Sequence, residues 1–255
     1  MPVHKHEYPI LEYDTAKDGV IRPGRHKVER LPSKCLMTFF GEVLRDYASR
    51  NNPEEIEFYN SEMGHFPTYK AQYKNTDICI IQAVVGSASA AMMADKLIGH
   101  GVRELIACGG CAVMADIPAG DVIIPVAALR DEGASYHYLP PAREIALDAD
   151  VTDTLKATLE DFHTPYIEAK TWTTDAFYRE TPDMITYRVQ EGCRVVEMEC
   201  ATLAAVARFR GARFGQLLYS GDILTDYENY DERDWMKLPA RGKLFMLALE
   251  ALVRL

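Results

Sequence analysis

Arg194-Val195-Val196-Glu197-Met198-Glu199-Cys200-Ala201 sets two acids inside an apolar run. Residues Arg194 to Met198 read as a strand, and Glu199 opens a helix that continues to Arg210 and is capped by Gly211. A strand passing straight into a helix is the building unit of an α/β fold with a mostly parallel sheet. A buried carboxylate is costly unless something holds it, so the acids ask for an explanation. A third acid, Asp222, stands just past the next apolar run, Phe214 to Tyr219. If those two strands are neighbours, Glu199 and Asp222 reach the same rim. A ligand rich in hydroxyl groups would hold them.

Outward from this segment, strand and helix patterns alternate. Cys35 to Phe40 reads as a strand and Glu42 to Arg50 as a helix. Thr68 to Lys74 and Ile78 to Val85 read as a hairpin pair of strands. Ser87 to His100 carries Ala90, Ala91, Ala94, Leu97 and Ile98 on one helical face, closed by Gly101. Arg103 to Cys108 is predicted as a strand, followed by a tight turn at Gly109-Gly110. Asp121 to Leu129 and Tyr166 to Thr173 are further strands, with helices at Val151 to Phe162 and Arg241 to Leu255. The pattern predicts a three-layer α/β fold: a mixed, mostly parallel central sheet with helices on both faces. Ligands of such sheets gather beyond the carboxyl ends of the strands, where Gly41, Gly86, Gly109, Glu199 and Asp222 are expected.

The 255 residues are enough for one sizeable core, and one domain over 1–255 is expected. Within it, residues 1–33, with four prolines and many charges, form an N-terminal arm packed on the body or on a partner subunit. Apolar residues make up 48%, with no run long enough to span a membrane and no apolar signal core at the start. A cytoplasmic location without membrane attachment is expected. The net charge of −10 argues against a nucleic-acid partner, which calls for a basic face. The six cysteines lie mostly in apolar runs and read as buried reduced thiols. Cys108 and Cys111 have C-x-x-C spacing but no second pair, and no metal site is expected.

Several local patterns carry chemistry. Glu199 at a helix start can accept two hydrogen bonds from neighbouring sugar hydroxyls, with Met198 against the sugar face. Gly41 and Arg45 form Gly-x-x-x-Arg at a strand-to-helix turn, an arrangement that suits phosphate. Gly86 and Ser87 open a second such turn. Phe177, after strand Tyr166 to Thr173, offers a ring on which a base can stack. Asp222, in a dry site, can protonate a leaving nitrogen.

Taken together, these segments resemble the nucleoside phosphorylase family, which includes uridine phosphorylases, hexameric purine nucleoside phosphorylases and hydrolytic nucleosidases. The similarity runs from about Cys35 to the C-terminus. It is carried by Gly120 to Ile124, Asp131 to His137, Thr174 to Tyr178 and Val196 to Leu203. The resemblance implies ribose contacts at Glu199 and Met198, base stacking at Phe177, a first phosphate loop at Gly41 and Arg45, and a purine N7 acid at Asp222. It also implies a nucleoside and inorganic phosphate as substrates, no other cofactor, and a homo-oligomer between dimer and hexamer. The chain departs from the family at several points. Ala107 and Gly110 stand where relatives place a phosphate-binding arginine and threonine. Thr181 and Asp183 stand near the Gln and Arg that read uracil, and Gly221 precedes Asp222 where purine enzymes have serine. The expected activity is phosphorolysis of a purine-leaning nucleoside to free base and pentose 1-phosphate. A phosphate-independent nucleosidase and a non-catalytic nucleoside-binding protein are the alternatives.

Overall fold

The computed structural model describes residues 3–24, 30–225, 228, 230–232 and 238–255. In chain order the elements are β1 (Lys34–Thr38), α1 (Gly41–Asn51), β2 (Glu54–Ser61), β3 (Gly64–Tyr73), β4 (Thr76–Gln82), α2 (Ser87–Gly99), β5 (Glu104–Val113) and β6 (Val122–Asp131). There follow β7 (Glu144–Ala146), α3 (Ala149–Asp161), β8 (Tyr166–Thr174), α4 (Pro182–Gln190), β9 (Cys193–Glu197), α5 (Cys200–Arg210), β10 (Arg213–Ile223) and α6 (Leu238–Leu252).

The continuous apolar runs of β1, β4 and β5 are explained by burial on both faces. Cys35, Met37, Cys79, Ile81, Leu105 and Ala107 pack in one core with α2 and α5. The alternate residues Leu36, Ile78, Ile80, Ile106 and Cys108 pack in a second core with α1, α3 and α6. The sheet is mixed, and its longest ladders, β5–β10 and β6–β8, are parallel. The hairpin expected around residues 68–85 is β3 and β4, joined by a two-residue turn. Lys74 and Asn75 there both have positive φ (48° and 63°), as the tight hairpin turn that matches strand twist requires.

The sheet is more than an open layer. β1 pairs with β5 only as far as Thr38 opposite Cys108. Further along the same edge, Ala112 and Val113 of β5 pair antiparallel with β9. β9 continues through β8 and β6 to β10, and β10 returns to the other edge of β5. Five strands therefore close a ring, filled by Cys111, Val113, Ile123, Ala169, Val195 and Leu218. Between the end of β1 and the start of the β9 pairing, Gly109 to Cys111 have one open edge. That gap is where a cavity forms, the same logic that puts ligands at strand-order switch points in open sheets.

One expectation is corrected here. Gly109-Gly110 makes no turn: both residues lie inside β5, and neither has positive φ. They are small because their neighbours are close. A Cβ on Gly109 would lie 3.0 Å from the Phe39 ring, and one on Gly110 would lie 3.2 Å from the Tyr219 ring. Asp222, expected just past the run Phe214 to Tyr219, falls within the longer β10, at a bulge between Ser220 and Ile223. Bulges redirect side chains, and this one sits at the cavity.

The arm packs on the body. Lys17 donates to the Phe209 carbonyl, Arg210 donates to the Lys17 carbonyl, and Tyr13 donates to the Tyr138 carbonyl. All six cysteines are free and buried, with Cys108 and Cys111 in different cores. No helix among the described residues is long and apolar enough to cross a membrane.

Candidate active site

Glu197 and Glu199 leave β9 together and meet different fates. Glu197 is the helix cap: its Oε2 accepts the backbone N–H groups of Glu199 (2.7 Å) and Cys200 (2.6 Å) at the start of α5. Its Oε1 accepts the Thr173 hydroxyl at 2.6 Å and the Thr171 hydroxyl at 3.3 Å. Both oxygens are thus occupied by the protein. Glu199 occupies the N-cap position yet caps nothing with its side chain. Its Oε1 accepts the Gly86 N–H at 2.5 Å, and among the described residues nothing bonds its Oε2. Burial, and then the charge of Glu197, raise the proton affinity of Glu199 well above that of an ordinary carboxylate.

Glu199 lines a cavity of about 350 Å³ at the open edge of β5, and Asp222 lines the same cavity. β9 pairs with one edge of β5 and β10 with the other, so Glu197 and Asp222 flank the strand at Cys111, and Glu199 follows just past the end of β9. The Cys111 thiol registers this: burial pushes it up, and the charges of Glu197 and Asp222 push it further. Asp222 is half-buried and accepts the Tyr230 hydroxyl on Oδ2 at 2.9 Å. Met198 and Phe177 lie on the same wall. Phe177 is 50% exposed and its ring sits 3.9 Å from that of Tyr178, so it can tilt over a flat ligand at the mouth.

The expected phosphate residues are placed differently. Gly86 and Ser87 open α2 off the lining. The Gly86 N–H is taken by Glu199, and the Ser87 hydroxyl is taken by the Met198 carbonyl at 2.5 Å. They hold the Met198-Glu199 segment in place, which leaves neither donor for an anion. Arg45 is exposed on α1 and is not on the cavity wall. Gly41 starts α1 directly after the lining residues Phe39 and Phe40, but it is buried against the Gln82 amide, 3.0 Å from where its Cβ would stand.

Three residues on the wall escaped the sequence reading. Glu180 ends the 3-10 turn that begins at Phe177, and its carboxyl has no hydrogen bond or ion pair among the described residues. Burial, and then the charge of Asp222, push it up to about 8. Arg241 is the one cation on the wall among the described residues; it is 6% exposed. It donates from Nε to the Tyr219 hydroxyl at 3.0 Å and from Nη1 to Glu42 at 2.6 Å. Burial works against its charge, and these bonds more than offset that, so it stays protonated. Gln216, on β10, is 1% exposed with its Oε1 unpartnered. The usable signal for Arg241 was its place in the first turn of a helix, where a cation is electrostatically unfavourable. For Glu180 it was an acid directly after an aromatic pair. Nothing local distinguished Gln216. No group of three His, Cys, Asp or Glu side chains that could hold a metal occurs among the described residues.

Comparisons with known proteins place the chain in a family. A profile described as the phosphorylase superfamily matches residues 34–253. A guanosine phosphorylase of Halorubrum lacusprofundi is 31% identical over 175 residues, which is 68% of this chain and 72% of that one. The fold is shared with a purine nucleoside phosphorylase of Toxoplasma gondii (TM-score 0.79, 17% identity, 93% of this chain and 97% of that one). It is also shared with an AMP nucleosidase of Bacteroides thetaiotaomicron (TM-score 0.71, 23% identity, 88% of this chain and 89% of that one).

Proposed function

Because the chain belongs to the phosphorylase superfamily, and is thereby an enzyme of the pentosyltransferase kind, we propose that it cleaves the N-glycosidic bond of a purine nucleoside with phosphate. The products are the free base and pentose 1-phosphate. One observation carries the reading: Glu199, at the start of α5, and Asp222, on β10, line one cavity beside an aromatic ring.

In this reading Glu199 binds the pentose. Its free Oε2 and its shared Oε1 accept the sugar hydroxyls, at roughly 1.5–3 kcal/mol for each charge-assisted bond. Protonated, Glu199 would have one acceptor fewer, so ligand hydroxyls that bond the charged form pull its proton affinity back down. Met198 lies against the sugar and Phe177 covers the base. A phosphate oxygen bonds to C1′ as the C1′–N bond breaks, and the electron pair leaves with the base. Catalysis then comes mostly from holding three groups in line. The departing base takes a proton from Asp222 at its N7. Glu180, beside Asp222 and still protonated near neutral pH, resupplies it.

The experiment is release of base from a panel of purine and pyrimidine nucleosides, with and without phosphate, with the sugar product identified. Pentose 1-phosphate formed in step with the base supports phosphorolysis. A second reading has a specific basis: the donors of Gly86 and Ser87 are engaged within the protein, and Arg45 is off the wall. Water would then replace phosphate. Of the acids near the fold's first turns, Glu42 is bound to Arg241, and Glu62 lies exposed off the cavity. Free pentose released equally without phosphate would establish hydrolysis. Nucleoside affinity with no base release would leave a binding protein.

A further inference from the structure

We propose that Arg241 and Gln216, with the first amides of α1 at Gly41, hold the attacking inorganic phosphate in this chain. This rests on the phosphorolytic reading above and adds to Gly41 two residues, Arg241 and Gln216, that the Gly-x-x-x-Arg pattern does not contain.

The assignment begins with what is missing. Ala107 and Gly110, on β5, bring no polar side chain to the cavity. At Gly110 the missing side chain has a visible purpose. A Cβ there would stand 3.2 Å from the Tyr219 ring and 3.3 Å from its hydroxyl. The space is used by Tyr219, whose hydroxyl accepts the Nε of Arg241. Glycine at 110, tyrosine at 219 and arginine at 241 therefore form one arrangement: the small residue lets in the ring, and the ring positions the guanidinium. The Phe40 ring completes it, 5.3 Å from the Arg241 guanidinium carbon and 5.8 Å from the Tyr219 ring centroid.

The guanidinium of Arg241, shared with Glu42, gives this corner of the wall the positive charge that an oxyanion needs. Arg241 is the only cation among the described lining residues, while Glu180, Glu197, Glu199 and Asp222 load the rest with acids. α1 begins beside it. No side chain caps that helix, and Phe40, its N-cap residue, is on the cavity wall. Uncapped first-turn amides and a buried guanidinium together suit phosphate.

Gln216 is the independent observation. It sits on β10 opposite Ala107 of β5, lines the cavity and is almost fully buried. Its Oε1 has no partner. A buried amide with nothing to bond is costly unless a ligand completes it. The amide NH₂ makes no hydrogen bond among the described residues and is not sealed off like the oxygen, so it can donate to a phosphate oxygen; turned end for end, the amide instead offers its oxygen to the proton of a monoanionic phosphate.

The test uses the full-length protein with a purine nucleoside and varied inorganic phosphate. Arg241→Met and Gln216→Leu should each raise the KM for phosphate about 10-fold or more, one charged or one buried bond being lost. The KM for the nucleoside should stay within about 2-fold, since neither residue is assigned to sugar or base. Sulfate should compete with phosphate in the wild type and lose potency in both variants. Folded variants with an unchanged phosphate KM would overturn the assignment. If Arg241→Met fails to fold for want of its Glu42 pair, Gln216→Leu and the milder Arg241→Lys decide by the same readout. A wild type that ignores phosphate brings down the phosphorolytic reading itself, and this assignment with it. Cleavage of a nucleoside 5′-monophosphate without added phosphate would give the site to the substrate's own phosphate and overturn the claim for inorganic phosphate.

Discussion

The two ends of the cavity differ in how they are built. The end proposed for the pentose is made by one short segment, Glu197 to Glu199, fixed by its own backbone and by two hydroxyls, from Thr173 and Ser87. The end proposed for the anion is assembled from β5, β10, α1 and α6, residues up to about two hundred positions apart, as in the Glu42–Arg241 pair. The first is local, so substitution there should act residue by residue. The second is a shared packing solution, so substitution of Gly110, Tyr219 or Arg241 should act on all three.

The contrast is sharpest between Glu199 and Glu197. Glu199→Ala should cost the most activity, on the order of 10²- to 10⁴-fold in kcat/KM, because two charge-assisted bonds to the sugar are lost. Steady-state kinetics at saturating phosphate would show it, and wild-type turnover would remove Glu199 from the sugar. Asp222→Asn should follow, with about 10²- to 10³-fold lower kcat on purines and little change in nucleoside binding. Substrates whose base departs without a proton should escape most of that loss, and an equal loss on them would point to misfolding instead.

Glu197→Ala should read out mainly as stability. It strips the cap from α5 and leaves two backbone N–H groups and the Thr173 hydroxyl without their partner, a cost of about 2–3 kcal/mol in chemical denaturation. A variant as stable as the wild type would show that the cap does not matter. Phe177→Ala should be the mildest of the wall substitutions, raising nucleoside KM about 3- to 10-fold, the range of one stacking contact.

A pH prediction separates the acids further. Glu180 and Glu199 are raised above the ordinary carboxylate value, Glu180 to about 8. Across this window the native chain keeps protons that the unfolded chain releases. The stability these groups contribute is therefore complete below about pH 4.3 and declines as pH rises through the folded values. Melting temperatures taken from about pH 5 to about pH 9 should fall more steeply for the wild type than for Glu180→Gln. Parallel curves would mean that Glu180 titrates normally.

The contrast also marks what the sequence could convey. Acids in an apolar run, a helix cap glycine and alternating elements are local signals, and they located Glu199, Met198, Phe177 and Asp222 on strand ends. Closure of the sheet was not readable, because it depends on β1 stopping at Thr38 and β9 taking over the same edge of β5. β2 gave too little periodicity, since only Phe58 and Tyr59 are buried in it. α4 did carry a signal, Thr181 before Pro182, and the Thr181 hydroxyl accepts the Met184 N–H at 3.4 Å. Gly109-Gly110 misled because glycine pairs usually mark turns, whereas here they admit Phe39 and Tyr219. Arg241 carried only the slight signal of a cation in a helix's first turn, because its partners, Tyr219 and Glu42, meet only in three dimensions.

The most direct measurement is a crystal structure of the protein grown with a purine nucleoside and sulfate. The pentose hydroxyls should lie within hydrogen-bond reach of Glu199 and the base edge should face Asp222, with the ring of Phe177 over the base. A nucleoside bound elsewhere, or lying in this cavity with its sugar turned away from Glu199, would contradict the account.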